Sequence, residues 1–171
     1  LSESDVEIIN LQHADGQTAL ARGDVDAWAG LDPIMATAEV TDGVRLIYRN
    51  IDFNSYGVLN VRERFLEQSP DLVEVTLECY EAARSWISAN PDDAAALLAQ
   101  EATLDIDVAR TVLLERTNTD VALVPGAPQR TVLESILPVL VAEGQVRSED
   151  EAREALDSLY DTTIAERVTS S

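Results

Sequence analysis

The chain has 171 residues, of which 46% are hydrophobic, and its formal net charge is -20, from 32 acidic and 12 basic side chains. This acidic balance excludes nucleic acid as an expected partner, because a phosphate backbone needs a basic face. A single cysteine, Cys79, excludes an intrachain disulfide, and the length allows one ordinary domain or two small lobes with a buried core.

The first third of the chain alternates between apolar segments and short helical patterns. A helix over roughly 15–22 is predicted to end at Gly23, and Pro33 opens a short helix that reaches about Glu39. The apolar segments are typical of buried strands, and they cover residues 6–11, 25–31, 44–48 and 56–61. Strands that alternate with helices predict an α/β fold with a mostly parallel sheet.

From Ser69 onward the pattern is almost entirely helical. Ser69 is an N-cap residue and Pro70 fits the first helical position of a long helix over 70–89. This helix has a narrow polar strip, which predicts that it is largely enclosed and that the thiol of Cys79 is buried. Further helices are predicted over 94–102, 106–116, 127–143 and 148–160, and the last residues are expected to fray.

Asp32 is the strongest candidate for a binding residue, because it follows the segment 25–31 directly and precedes Pro33. An aspartate before a proline is a favoured N-cap arrangement, so capping of the next helix explains it. In open α/β sheets, however, ligands bind beyond the carboxyl ends of the strands, where Asp32 would lie. The two roles are compatible, since one carboxylate oxygen can cap the helix while the other faces a cleft.

Other candidate binding residues come from the same kind of position. Gln12 and His13 follow a predicted strand and lead into a helix start, which is a natural anion site. Trp28 lies within a predicted strand and serves either as core or as a surface on which a ligand stacks. Asn54 and Tyr56 belong to a polar segment that leads into the last predicted strand, and this segment is either a loop or a hinge.

Catalytic and metal-binding patterns are absent from the sequence. One histidine and one cysteine do not make a metal site, and no Gly-rich phosphate loop or nucleophile elbow occurs. We therefore expect no cofactor and no metal.

The segments LARGDVDAWAGLDPIMATAE and YGVLNVRERFLEQSPDLVEVTLECYEAARSWISANPDDAAALLA, in this order, resemble a known family. They are similar to the substrate-binding proteins of ABC importers, in the aliphatic sulfonate, taurine and nitrate branch of the type II periplasmic-binding fold. The similarity covers roughly residues 6–115. It implies the C-terminal portion of a two-lobed protein, in which residues 1–54 close the second lobe and residues 55–171 return to the first lobe.

The resemblance also implies a function without catalysis. Such a protein captures a small anionic or zwitterionic solute, such as an aliphatic sulfonate or taurine, between its lobes and delivers it to a membrane permease. In related binders the acid at the position of Asp32 faces the cleft and holds a ligand amino group. An extracytoplasmic location, periplasmic or at the cell surface through a lipid anchor, follows from the same likeness. A chain that is only part of such a protein is also expected to self-associate.

Two other functions remain open at the level of the sequence. The same fold also supports pyrimidine-precursor synthases, and for that chemistry His13 is the eligible catalytic residue. Alternatively, residues 69–160 form a helical module that docks a partner protein through an exposed apolar face.

Overall fold

The computed structural model describes residues 3–52 and 56–170, and most of them are helical. A 3-10 turn over Glu3–Asp5 precedes the first α-helix, and a π-helical turn over Thr111–Arg116 follows the sixth. The α-helices, in chain order, are α1 (His13–Arg22), α2 (Ile34–Thr41), α3 (Glu63–Gln68), α4 (Pro70–Ala89), α5 (Pro91–Ala102), α6 (Ile106–Arg110), α7 (Ala127–Ala142), α8 (Glu149–Asp157) and α9 (Thr163–Ser170). Over these residues, no helix is both long enough and apolar enough to cross a membrane.

The chain divides into two compact units. The first unit contains the residues up to Tyr48 together with Ala89–Asn118. The second unit contains Arg49–Ser88 together with the residues from Thr119 onward.

Small side chains form most of the core of the first unit. α2, α5 and α6 each bury a pair of residues, and five of these six residues are alanine: Ala36, Ala38, Ala94, Ala95, Val108 and Ala109. Side chains of this size let helices approach closely, and α6 packs against both α2 and α5. Asp105 fixes the start of α6, because its Oδ1 accepts the N–H of Asp107 at 2.8 Å.

The core of the second unit lies mainly in its C-terminal helices. α7 packs against α8, where Leu137 of α7 and Leu156 of α8 are buried. In α4, the guanidinium of Arg84 donates to the main-chain oxygen of Val121, which ties the segment before α7 to α4.

Most of the predicted helices are confirmed, and α4 spans the predicted residues 70–89. Two helices differ from expectation. α3 was not predicted. The prediction that the last residues fray was wrong, because α9 occupies this part of the chain. In α9, Ile164 and Ala165 are buried, and Arg167 forms an ion pair with Glu74 of α4 at 2.8 Å. These tertiary contacts stabilise a segment that looks too polar in isolation.

The α/β fold class is confirmed only for its helical part. Residues 3–52 and 56–170 contain no β-strand, so the segments predicted as strands are irregular there. A strand exists only when a second segment accepts and donates its backbone hydrogen bonds, and an apolar pattern cannot supply that partner. The predicted, mostly parallel β-sheet is therefore not confirmed.

The prediction that α4 is enclosed is wrong within the described part of the chain. Val73 is its one buried residue there, whereas Leu72, Val75 and Tyr80 each expose more than half of their surface, at 54%, 52% and 55%. Cys79 is exposed as well, contrary to expectation. The helix has the composition of an enclosed element, but the described residues do not cover its apolar faces.

Candidate functional site

Asp32 lies between the segment 25–31 and the start of α2, and its carboxylate is a cap. Its Oδ1 accepts a hydrogen bond from the backbone N–H of Ala36 at 3.0 Å. This bond satisfies one of the N–H groups that a helix leaves without a partner in its first turn. The carboxylate of Asp32 therefore stabilises the first turn of α2 as expected, but it does so from the position before the N-cap residue, which is Pro33. A ligand contact of Asp32 stays a prediction.

The same oxygen also accepts a charged hydrogen bond. Nη1 of Arg116 lies 2.9 Å from Oδ1 of Asp32, and Nη2 of Arg116 pairs with Oε2 of Glu39 in α2. The side chains of Arg116, Asp32 and Glu39 are 10%, 22% and 25% exposed, so this ion-pair network is largely withdrawn from water. We refer to these three residues as the Arg116 cluster.

The electrostatics of the Arg116 cluster keep its guanidinium charged. Burial, the largest single influence, lowers the pKa of Arg116, but its contacts with Glu39 and Asp32 together raise the pKa above the ordinary value. Two carboxylates face one guanidinium, so the cluster as a whole carries one net negative charge.

The position of Arg116 beside α2 is set by α6 and by the π-helical turn that follows α6. α6 packs against α2, and the π-helical turn that continues α6 ends at Arg116. The hydroxyl of Thr117 then donates to the main-chain oxygen of Val112 at 2.8 Å and closes this turn. Short π-helical turns inside helices are rare and are often found at functional sites.

Trp28 packs along the backbone of two glycines. A Cβ added to Gly16 of α1 would lie 2.4 Å from Nε1 of Trp28, and one added to Gly30 would lie 2.8 Å from Cη2. Gly16 is buried and Trp28 is half-buried. This geometry agrees with a packing role for Trp28, while stacking on a ligand stays a prediction.

Gln12 and His13 lie at the start of α1, close to the Trp28 contact. The main-chain oxygen of Gln12, the N-cap residue, accepts the N–H of Gly16 at 2.8 Å. Both Gln12 and His13 are exposed, and Asp15 places a negative charge in the first turn of α1. That carboxylate opposes the attraction of the helix start for an anion.

The predicted site residues thus fall into two groups. Gln12, His13, Trp28 and Asp32 belong to the first unit, whereas Tyr56 belongs to the second unit and is 38% exposed. Asn54 lies outside the described residues.

A shallow groove of about 350 Å³ lies in the first unit, and none of the predicted site residues lines it. It is bordered by Ile9, Leu11, Asp15, Thr18, Ala19, Arg22, Asp24 and Val25. Over residues 3–52 and 56–170, no group of three or more histidine, cysteine or acidic side chains is placed to hold a metal ion.

The sequence did not indicate Arg116 or Glu39 as part of the site. Arg116 is 84 positions from Asp32, and no local pattern links them. The one available signal was the prediction of a helix that ends at residue 116, which says nothing about what the last side chain contacts.

Comparison with known proteins identifies the family. Residues 1–94 match the NMT1/THI5 like family, and this is more than half of the chain. The chain belongs to this family.

Two curated relatives carry names that agree with the expected resemblance. A protein of Bacillus subtilis (strain 168), named as an aliphatic sulfonates-binding protein, is 33% identical over 111 residues, which are 64% of this chain and 33% of the relative. A protein of Escherichia coli (strain K12) with the same name is 28% identical over 122 residues, which are 71% of this chain and 38% of the relative. The predicted resemblance to sulfonate-binding proteins is confirmed.

The matched regions span about a third of the length of these relatives. No solved structure gives a significant match to the chain.

Proposed function

We propose that this chain is the C-terminal portion of the solute-binding component of an ABC importer. The observation that supports this most directly is membership in the NMT1/THI5 like family, together with two relatives named for binding aliphatic sulfonates. The solute is a small anionic or zwitterionic molecule, such as an aliphatic sulfonate or taurine. The complete protein works outside the cytoplasm and delivers the solute to a membrane permease.

In this proposal the complete protein has two lobes of the type II periplasmic-binding fold. Residues 1–54 belong to the second lobe and residues 55–171 return to the first lobe, so in this proposal the packing of α6 on α2 and the Arg116–Asp32 pair lie where the two lobes meet. The segments 6–11, 25–31, 44–48 and 56–61 pair with strands from the rest of the protein. This accounts for their apolar composition, since central strands of a parallel sheet are buried on both faces.

The solute binds in the cleft between the lobes, and closure of the lobes buries it. Ligand affinity that differs between the open and closed states shifts their populations, and the permease responds to the closed state. Asp32 contacts the solute, with Gln12, His13, Trp28, Asn54 and Tyr56 as further candidates around it. The side chain of Asp32 is 22% exposed, so part of it remains accessible.

Binding without turnover is the better-supported activity. His13, the candidate catalytic residue of the synthase alternative, is exposed at the start of α1. General acid–base catalysis works best with a group held within hydrogen-bond reach of its substrate in a water-poor pocket.

Isothermal titration calorimetry of the complete protein tests the proposal. Taurine, ethanesulfonate, nitrate and sulfate are titrated at neutral pH, with glucose as a control of different chemistry. We expect saturable binding of at least one sulfonate, and a weaker affinity after Asp32→Asn. Absence of binding by every anion, or turnover of a pyrimidine precursor that is lost after His13→Ala, would contradict the proposal.

A further inference from the structure

We propose that Arg116 is the positioning residue of the solute site: it orients the carboxylate of Asp32 so that Oδ2 is presented to the ligand. This inference rests on the proposed solute-binding function. Arg116 acts through Asp32 and does not itself contact the solute.

The two carboxylate oxygens of Asp32 have different hydrogen-bond partners, and this difference supports the positioning role of Arg116. Oδ1 accepts both the N–H of Ala36 and Nη1 of Arg116. In the part of the chain that the structure describes, Oδ2 accepts no hydrogen bond. An ionised carboxylate has acceptor sites on both oxygens, so two donors on Oδ1 fix the orientation of the group and leave Oδ2 for a third.

Arg116 is itself held at both ends of its guanidinium. Asp32 and Glu39 are seven residues apart, which is two helical turns, so their side chains lie on the same face of the α2 region. The planar fork of an arginine can satisfy two carboxylates at once, whereas a lysine offers one point of charge. The pair with Glu39 therefore prevents the guanidinium from turning away from Asp32.

The π-helical turn over Thr111–Arg116 sets the direction from which Arg116 arrives. Its wider backbone repeat changes the direction of the residues after it relative to a regular α-helix. The side chain of Arg116 is only 10% exposed, so this direction carries the guanidinium into the unit and not toward solvent.

A direct role for Arg116 in holding an anion fits these contacts less well. Both terminal nitrogens of its guanidinium already face carboxylates, and the Arg116 cluster is negative overall. A sulfonate that approached the guanidinium would meet a net repulsive field at short range.

The first test measures the orientation of Asp32 without any ligand. Amide hydrogen exchange, followed by NMR on the complete protein, compares Ala36 with Thr37. The N–H of Ala36 bonds to Asp32, whereas the N–H of Thr37 bonds to the main-chain oxygen of Pro33 at 2.9 Å. In R116Q we expect exchange at Ala36 to become about tenfold faster and exchange at Thr37 to stay the same.

The variant R116K keeps the charge and guards against a failure of R116Q to fold. It should also accelerate exchange at Ala36, to a smaller extent, because a lysine cannot bridge both carboxylates. Equal acceleration at Ala36 and Thr37 in both variants would mean that α2 as a whole is loosened, and it would overturn the positioning role. Unchanged exchange at Ala36 would overturn it as well.

The second test is a double-mutant cycle on ligand affinity. Calorimetric titration with taurine compares the unaltered protein, R116Q, D32N and the double variant. If Arg116 acts through Asp32, R116Q weakens binding about tenfold in the unaltered background and less than twofold in the D32N background. The matched control is R110Q, which removes a solvent-exposed ion pair with Asp92 from the same unit and should leave affinity unchanged.

Equal weakening by R116Q in both backgrounds would overturn the inference, because Arg116 would then act independently of Asp32. If none of taurine, ethanesulfonate, nitrate and sulfate binds the unaltered protein, the proposed function fails and the ligand part of this inference fails with it. The exchange comparison then decides whether Arg116 positions Asp32.

Discussion

At the scale of single residues, the contact between Trp28 and Gly16 explains a glycine in an unfavourable place. A glycine inside a helix costs about 0.5–1 kcal/mol relative to alanine, because it loses more backbone freedom on folding. Gly16 lies inside α1, and the indole of Trp28 occupies the space that a Cβ would need. The close packing of the indole therefore decides the residue at this position, against helix propensity.

This contact predicts the effect of Gly16→Ala. We expect the substitution to lower the free energy of unfolding by about 1–3 kcal/mol, since a Cβ would lie 2.4 Å from Nε1 of Trp28. Urea unfolding measures the change. Gly57→Ala is the control, because a Cβ there would meet nothing within 4 Å. Adding Trp28→Leu should recover most of the loss, and a Gly16→Ala protein as stable as the original would contradict the packing.

Arg116 gives a second prediction at this scale, this time for stability. Arg116→Met leaves two partly buried carboxylates without their counter-ion, which should cost about 3 kcal/mol. Thermal or urea unfolding of the complete protein checks this value. Adding Glu39→Gln to Arg116→Met should restore part of the loss. Arg110→Gln, which breaks an exposed pair, should change stability by less than about 0.5 kcal/mol, and an equal loss in both single variants would contradict the importance of the Arg116 cluster.

At the scale of helices and loops, α8 begins with a network around Glu151. The hydroxyl of Ser148, the N-cap residue of α8, accepts the N–H of Glu151 at 3.2 Å. The carboxylate of Glu151 accepts from the guanidinium of Arg147, and also from its backbone N–H at 3.1 Å. The pKa of Glu151 is lowered from its ordinary value of 4.5, first by the side chain of Arg147 and then by the backbone bond.

A lowered pKa in the folded state makes the contribution of Glu151 depend on pH with a definite sign. The contribution is fully present above pH 4.5, the ordinary value, and is lost as the pH falls through the lowered folded value. Urea unfolding between pH 7 and pH 3 should therefore show Glu151→Gln less stable than the original at neutral pH, with a difference that shrinks in acid.

The partner variant Arg147→Gln tests the cause of this effect. This variant should make the free energy of unfolding depend less on pH between pH 7 and pH 3, because it removes the larger of the two contacts that lower the pKa of Glu151. A difference between Glu151→Gln and the original that stays constant from pH 7 to pH 3 would show that the network does not favour the ionised form.

The helices also show which features a sequence can predict. Both ends of α4 were predicted correctly, because Ser69 with Pro70 and Asn90 with Pro91 are local signals on the chain. α9 was missed because its stability depends on burial of Ile164 and on an ion pair with Glu74, which is distant in sequence. Strand pairing and the approach of Arg116 to Asp32 are non-local for the same reason, so the capping role of Asp32 could be predicted and its guanidinium partner could not.

At the scale of the whole molecule, the exposed apolar side chains of the irregular segments dominate the expected behaviour. Ile8, Ile47 and Tyr48 are 70%, 73% and 67% exposed, and they lie in segments with the composition of buried strands. Unpaired segments of this kind are templates for pairing with another chain.

Residues 1–171 expressed alone should therefore self-associate. Sedimentation velocity over a range of concentrations should show species larger than 18.6 kDa, in proportions that rise with concentration. Replacing both Ile8 and Ile47 by glutamate should shift the distribution toward the monomer, whereas Glu154→Gln on α8 should leave it unchanged. A single 18.6 kDa species at all concentrations would contradict the expectation.

The packing of Trp28 against Gly16 and Gly30 also makes its intrinsic fluorescence useful as a probe of unfolding. The sequence has two tryptophans, and the other, Trp86, belongs to the second unit, where 42% of its surface is open to solvent. A protein with Trp86→Phe would emit from the indole of Trp28, which packs against backbone, and one with Trp28→Phe from the indole of Trp86, which is 42% exposed. The wavelength of maximum emission would therefore follow the unfolding of the first unit in the Trp86→Phe protein and of the second unit in the Trp28→Phe protein, without any added dye.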